Sequence, residues 1–432
     1  MPLSCEPNGV VKASMTPNDP HLGNLYGLTK MAAPEAWGYT TGSPSVVVAI
    51  VDTGVNYNHP DLHENILENS GEIPANYMDD DGNGYIDDVL GYDFANIDPD
   101  PDDDHGHGSH CAGIVGARGN NGIGVVGINW NVSILPVKTL DSRGTGTNSD
   151  VAAGIEYAVD RGATIVSLSL GSPWPSSAIE NAIAYARSHG VLVVAAAGNQ
   201  WRDIDTAPMY PASLTDENLI SVAATTAADE IAYFSNFGVT SVDVGAPGYG
   251  IQSTVLGEGY EYYSGTSMAT PYVAGLAALV KAASPSLSYA EIRDVLFASV
   301  DQLPSLSGKT VTGGRVNALN AVHQAVTGGS YPTPEPEPTP RADTGMPRPG
   351  NSLTLRKRGM SSRVVLLGHL RSSSRTALEG ETVSLRCKGL RVRRATSDDD
   401  GFFAFKISRP RRQTLCHVSD AEANRSKRIT IP

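Results

Sequence analysis

Three side chains able to perform acyl transfer occur in this sequence in the order carboxylate, imidazole, hydroxyl, and each lies beside glycine. Asp52 stands in Asp52-Thr53-Gly54, His107 in His107-Gly108-Ser109-His110-Cys111-Ala112-Gly113, and Ser267 in Gly265-Thr266-Ser267-Met268-Ala269-Thr270-Pro271. Glycine at such places lets the backbone come close to a substrate. A serine hydroxyl is too weakly acidic to attack an amide unaided, so an imidazole must take its proton and a carboxylate must hold that imidazole in the right tautomer. A fourth block, Ala197-Gly198-Asn199, adds an amide side chain in a similar setting.

The elements around these blocks are readable. Val47 to Val51, Ile134 to Val137, Thr164 to Leu168 and Val191 to Ala195 are continuous apolar runs separated by Ala-rich helical patterns. Strands apolar on both faces must be covered on both sides, which predicts an α/β three-layer sandwich around a mostly parallel central sheet. Ligands of such sheets bind beyond the carboxyl ends of the strands, where Asp52 and Asn199 follow their runs. Gly265 to Pro271 opens an apolar helix reaching about Ala283. The 432-residue chain has no apolar run long enough for a membrane span, and its four cysteines form no Cys-x-x-Cys zinc clamp.

The three blocks resemble the signature blocks of the subtilisin-like serine proteases, in that family's order, and subtilisin is itself a standard worked case of this triad. The resemblance runs from Pro17-Asn18-Asp19-Pro20 to Gly314-Arg315-Val316-Asn317-Ala318 and is nearest to the thermitase branch, with proteinase K-like features. It implies that Asp52 orients, His107 acts as base and then acid, Ser267 is the nucleophile, and Asn199 with the Ser267 N-H holds the oxyanion. Leu140 to Gly146, including Gly144, and Ser169-Leu170-Gly171 correspond to the edges that pair with an extended peptide, while Ala196 and Met209 fall on the pocket for the residue before the cleaved bond. That pocket is expected to take apolar residues. Pro271-Tyr272 stands where the family has Pro-His, which predicts altered packing; Cys111 corresponds to an unpaired buried thiol without a catalytic role, and His110 to a structural neighbour of His107. The same resemblance leaves one other reading open, a catalytically silent scaffold that binds proteins outside the cell.

Asp79-Asp80-Asp81-Gly82-Asn83-Gly84 has the D-x-D-x-N-G spacing of a calcium loop, but Leu90 replaces the bidentate Glu of an EF-hand. We read a non-EF calcium loop supplied by Asp79, Asp81, Asn83, Asp87 and the Tyr85 carbonyl; an acidic solvated turn is the alternative. The resemblance implies two further Ca2+ sites. One comprises Asp19, Asp61 and Asn121 with the carbonyls of Ile123 and Val125, and the other Asp93, Asn96, Asp98, Asp100 and Asp102.

Charge divides the chain. Residues 351–432 carry 18 Lys and Arg against 7 Asp and Glu, whereas residues 1–350 carry 14 against 39. Between them Tyr331 to Gly350 holds seven prolines, the composition of a semi-rigid spacer. The expected organisation is a propeptide remnant over 1–13, a peptidase domain over 14–328, a linker over 329–350 and a small all-β sandwich over 351–432. In the last, Asp399-Asp400-Gly401-Phe402-Phe403-Ala404-Phe405 resembles the hairpin of carboxypeptidase regulatory-like domains. Its arginines could bind an anionic surface or polymer, with no aromatic interleaving to suggest nucleic acid. Cys387 and Cys416 could form a disulfide. Glu6 to Val11 resembles the last strand of a subtilase propeptide, so the expectation is a secreted, monomeric protease made as a zymogen. Its own propeptide would be folding chaperone and inhibitor, its substrates proteins and peptides.

Overall fold

The computed structural model describes residues 16–329 with their side chains and, beyond them, the backbone of seven strands between Ser352 and Ile431. By contacts the chain divides into two units at Thr333 and Pro334. The expected propeptide remnant lies outside the described residues, as does the linker after Gly329.

The first unit contains strands β1 (Gly42–Asp52), β2 (Tyr92–Asp93), β3 (Asn131–Lys138), β4 (Ile165–Leu168), β5 (Leu192–Ala196), β6 (Leu219–Thr225), β7 (Val244–Pro247), β8 (Ile251–Thr254), β9 (Tyr260–Tyr263), β10 (Asp301–Gln302) and β11 (Gly314–Arg315). Its helices are α1 (Tyr26–Lys30), α2 (Ala33–Ala36), α3 (His107–Gly116), α4 (Asn148–Asp160), α5 (Ser177–Ser188), α6 (Thr266–Ala283), α7 (Tyr289–Ala298) and α8 (Ala318–Thr327). Nine strands form one sheet in the order β10-β11-β7-β6-β5-β4-β1-β3-β2. Every neighbouring pair is parallel except β10 and β11.

The continuous apolar runs are explained by the two faces of this sheet. Val48 and Ile50 of β1, Ile134 of β3 and Leu192 and Val194 of β5 pack with α3 and α6 residues such as Val115, Val273 and Leu276. Ala49 and Val51, Leu135 and Val137, and Val193 and Ala195 face the opposite layer, with Ile155 of α4 and Ile183 of α5. Successive strand residues point to opposite faces, so burial of both requires an apolar residue at every position. Each fully buried Val, Leu or Ile contributes about 1.5–3 kcal/mol. The sheet places β1 between β4 and β3, so the chain leaves β1 to one side and later returns on the other. A crevice opens at the carboxyl end of such a strand, and Asp52 is the last residue of β1.

In the second unit the strands are β12 (Ser352–Met360), β13 (Arg363–Arg371), β14 (Thr382–Cys387), β15 (Arg393–Thr396), β16 (Phe402–Ser408), β17 (Thr414–Asp420) and β18 (Ser426–Ile431). They form antiparallel sheets β12-β13-β16 and β15-β14-β17-β18, in whose register Cys387 lies opposite Cys416.

Candidate active site

Asp52 and His107 meet although 55 residues separate them: the His107 Nδ1–H donates to Asp52 Oδ1 at 2.7 Å. The Thr53 N–H donates to the same oxygen at 2.8 Å. Gly54 makes the turn possible, with φ of 101° and a position where any Cβ would press on the Pro101 and Asp102 carbonyls. His107 is the first residue of α3, whose free N–H groups are met by Asp103. One Asp103 oxygen accepts from Thr53 Oγ, His105 N and Gly106 N, and the other from Ser109 N and Oγ, at 2.6–3.0 Å. Burial alone would push the His107 imidazolium toward losing its proton, but the Asp52 charge and hydrogen bond, helped by Asp103, leave its pKa raised above the ordinary value.

Ser267 lies in the first turn of α6, where backbone N–H groups have no helical acceptor. Pro271 follows four residues later and lacks the N–H that would bond to the Ser267 carbonyl. That carbonyl instead accepts from Ser169 Oγ at 2.8 Å and Cys111 Sγ at 3.4 Å, while Ser267 Oγ donates to the Ser169 carbonyl at 3.2 Å. Cys111 is a buried free thiol whose pKa burial pushes up, and its sulfur lies within 4.8 Å of the Asp52 and His107 ligand atoms. It therefore packs between the Asp52–His107 pair and the Ser267 backbone. Asn199 Oδ1 accepts from Thr266 N at 2.8 Å and Thr266 Oγ at 3.1 Å, which leaves its NH2 group as the donor toward the Gly265 to Ser267 turn.

Leu140, Gly144, Gly146, Ser169, Leu170 and Gly171 line one cleft of about 420 Å³ together with His107. Ala196 and Met209 do not line it; both are buried. The Met209 thioether bridges two glycines: a Cβ on Gly171 would lie 3.5 Å from its sulfur, and one on Gly198 would lie 3.3 Å from its Cγ. Ser172 and Tyr210 exchange backbone hydrogen bonds of 2.8 Å that tie this segment to the 169–171 edge.

The subtilase family description matches residues 43–323. The chain belongs to the subtilase family. This subtilase is 42% identical to a thermophilic serine proteinase of Bacillus sp. (strain AK1), over 73% of its own length and 72% of the relative's. It is 44% identical to thermitase of Thermoactinomyces vulgaris, over 71% of its own length and 99% of the relative's. A solved protease structure from Pseudoalteromonas arctica matches with a TM-score of 0.62 and 32% identity, covering 72% of this chain and all of that one. The subtilase is a serine endopeptidase.

Its acidic groups assemble unequally. Asp61, fully buried, accepts from Asn121 Nδ2 at 2.7 Å, Val125 N at 2.9 Å and Tyr260 Oη at 2.9 Å. Asp19 is also buried, and its Oδ1 has no hydrogen-bond partner among the described residues. Burial raises the pKa of both carboxyls. Asp93 and Asp98 are joined by a pair of backbone hydrogen bonds, Asp93 accepts from Asn96 N and Nδ2, and Asp100 and Asp102 follow in successive side-chain turns. In the 79–88 loop, Asp79 receives the amides of Gly82, Asn83 and Gly84, and Asp81 that of Asn83. The Asp87 carboxylate accepts from the amides of Asn76 and Tyr77. Glu72 and Asp88 lie beside Asp81. Asp88 is further tied to Tyr157 and Arg161, which the loop's spacing could not show.

Sequence reasoning also missed His105 and Tyr210, which line the cleft, and Asp103. Only proximity to His107 pointed to His105 and Asp103. His110 is buried, its Nε2–H faces the Ile251 and Glu261 carbonyls, and its ring stacks on Tyr263. Burial pulls its pKa down to about 4, so it is a neutral structural histidine at neutral pH. Tyr272 is buried where Gly27 of α1 leaves room for its ring.

Proposed function

We propose that this protein is a secreted, calcium-stabilised endopeptidase that cleaves proteins through an acyl-enzyme intermediate, with Asp52, His107 and Ser267 as triad. The observation that carries the reading is the 2.7 Å Asp52 to His107 bond at the carboxyl end of β1, with Cys111 packed between that pair and the Ser267 backbone. His107, oriented through Nδ1, takes the Ser267 proton at Nε2 as the hydroxyl attacks the peptide carbonyl. The Ser267 hydroxyl must first leave the Ser169 carbonyl. The Ser267 N–H and Asn199 Nδ2 meet the developing oxyanion. His107 then returns the proton to the leaving amine, and water repeats the cycle on the ester. Labelling with a fluorophosphonate followed by peptide mapping tests the assignment: the label belongs on Ser267, and a labelled Ser267→Ala protein would refute it. Casein turnover by the wild type would exclude the silent-scaffold alternative.

The hard oxygen donors of Asp19, Asp61 and Asn121 fit Ca2+, because two carboxylates buried together, one with an oxygen lacking any donor among the described residues, call for a cation. Bound calcium would supply charge neutralisation and rigidity there. Asp93, Asn96, Asp98, Asp100 and Asp102, and the loop with Asp79, Asp81 and Asn83, are proposed as further sites on their oxygen donors alone. For residues 351–432 we propose the regulatory-like β-sandwich. Its excess of basic residues supports binding to an anionic surface.

A further inference from the structure

The end of β3 carries a charge that the triad does not use. Lys138 closes the apolar run from Ile134, and its side chain is 1% exposed. Burial of an ammonium ion is unfavourable unless its protons find acceptors. All three do. Nζ donates to the Thr53 carbonyl at 2.8 Å, to Asp104 Oδ1 at 2.7 Å and to the Leu140 carbonyl at 3.1 Å. Two of these acceptors belong to residues that line the cleft, Thr53 after Asp52 and Leu140 at the start of the 140–146 segment, and the third, Asp104, directly precedes His105, which also lines it. Thr53 is gripped from its other side by Asp103. A residue needed only to fill the end of β3 would require no charge.

We propose that Lys138 is a positioning residue for extended substrates. Its ammonium ion sets the Leu140 edge against the Asp52 to Thr53 turn, so that a peptide lying along residues 140–146 is held in line with His107 and Ser267. The inference rests on reading those residues as a substrate edge. Paired backbone along such an edge supplies affinity, and binding energy from remote substrate residues is used to orient the reacting bond. The Asp52 carbonyl keeps the N–H groups of Thr139 and Leu140, and its carboxylate keeps Thr53 N and His107, without the ammonium ion. Loss of the charge should therefore penalise long substrates more than short ones.

The test compares kcat/KM for an N-blocked tetrapeptide amide with that for an N-blocked single-residue ester, in the full-length protein. In Lys138→Met the tetrapeptide-to-ester ratio is expected to fall about 30- to 100-fold, the scale of a small misalignment of substrate. A ratio equal to that of the wild type, whether both rates drop together or neither does, overturns the proposal. If Lys138→Met fails to fold, Lys138→Arg decides. It keeps the charge, but a planar guanidinium cannot meet three acceptors arranged for an ammonium ion, so the ratio still falls about tenfold; an unchanged ratio again overturns the proposal. A wild-type enzyme that gains nothing from the longer substrate would refute the edge reading itself, a result distinct from an unaffected ratio in the variants.

Discussion

Removal of calcium should cost this protein more stability than any surface substitution, and the cost should fall on the buried pair Asp19 and Asp61. Asp19 and Asp61 are 4% and 0% exposed, and the charge of Asp61 adds to the burial that raises the Asp19 pKa. Asp61 has three donors, whereas Asp19 Oδ1 has no partner among the described residues. An unsatisfied buried group costs about 1–3 kcal/mol, more when it is charged. A cation held by the folded state alone contributes about 4 kcal/mol at a thousandfold excess over Kd. At roughly 2 °C per kcal/mol for a domain of this size, that is a change in Tm of about 8 °C. The assay is thermal melting of the Ser267→Ala protein, which cannot digest itself, in millimolar calcium and in excess chelator. Asp61→Asn, nearly isosteric but uncharged, should lose most of that increment. Because burial raises both carboxyl pKa values, the chelated protein is stabilised by protonation at low pH, and that stabilisation is lost as pH rises above the ordinary 3.8 and through the raised values. The calcium increment should accordingly be larger at neutral pH than near pH 3.8, where carboxyls with raised pKa values are still largely protonated. Equal melting curves with and without chelator, or a full increment in Asp61→Asn, would refute the reasoning.

Asn199→Ala should lower kcat about 100- to 1,000-fold with little change in KM, since it removes one oxyanion donor; unchanged kcat would remove Asn199 from the site. Met209→Ala should open the slot between Gly171 and Gly198, raising kcat/KM for a phenylalanine before the cleaved bond relative to alanine by at least about tenfold. The same change should cost about 2–5 kcal/mol in chemical denaturation, because the thioether is buried. His107 must be neutral to accept the Ser267 proton, so its raised pKa places the acid limb of kcat/KM above 6.5; a limb below 6.5 would contradict the influence of Asp52 and Asp103.

The sequence by itself determined the sheet and the family to which the chain belongs. Val47 to Val51, Ile134 to Val137, Thr164 to Leu168 and Val191 to Ala195 all lie in parallel strands β1, β3, β4 and β5 to within a residue at their shared ends, and the helix predicted from Gly265 is α6. Burial on two faces leaves a mark at every position of a strand, and a nucleophile at a helix start needs its glycine nearby, so both are local signals. Tertiary structure decided which polar groups meet. The Lys138 ammonium, the Asp103 carboxylate under α3 and the engagement of Asp88 by Arg161 and Tyr157 depend on segments brought together by the sheet order. A lysine at the end of an apolar run or an aspartate in an acidic loop has the same local appearance whether it faces water or a buried acceptor. The depth of Met209 between Gly171 and Gly198 was likewise settled by packing, and the bonding of Asp87 to the Asn76 and Tyr77 amides by the path of a loop. Apolar periodicity is written along the chain, whereas the pairing of a short polar side chain is fixed only when the fold closes around it.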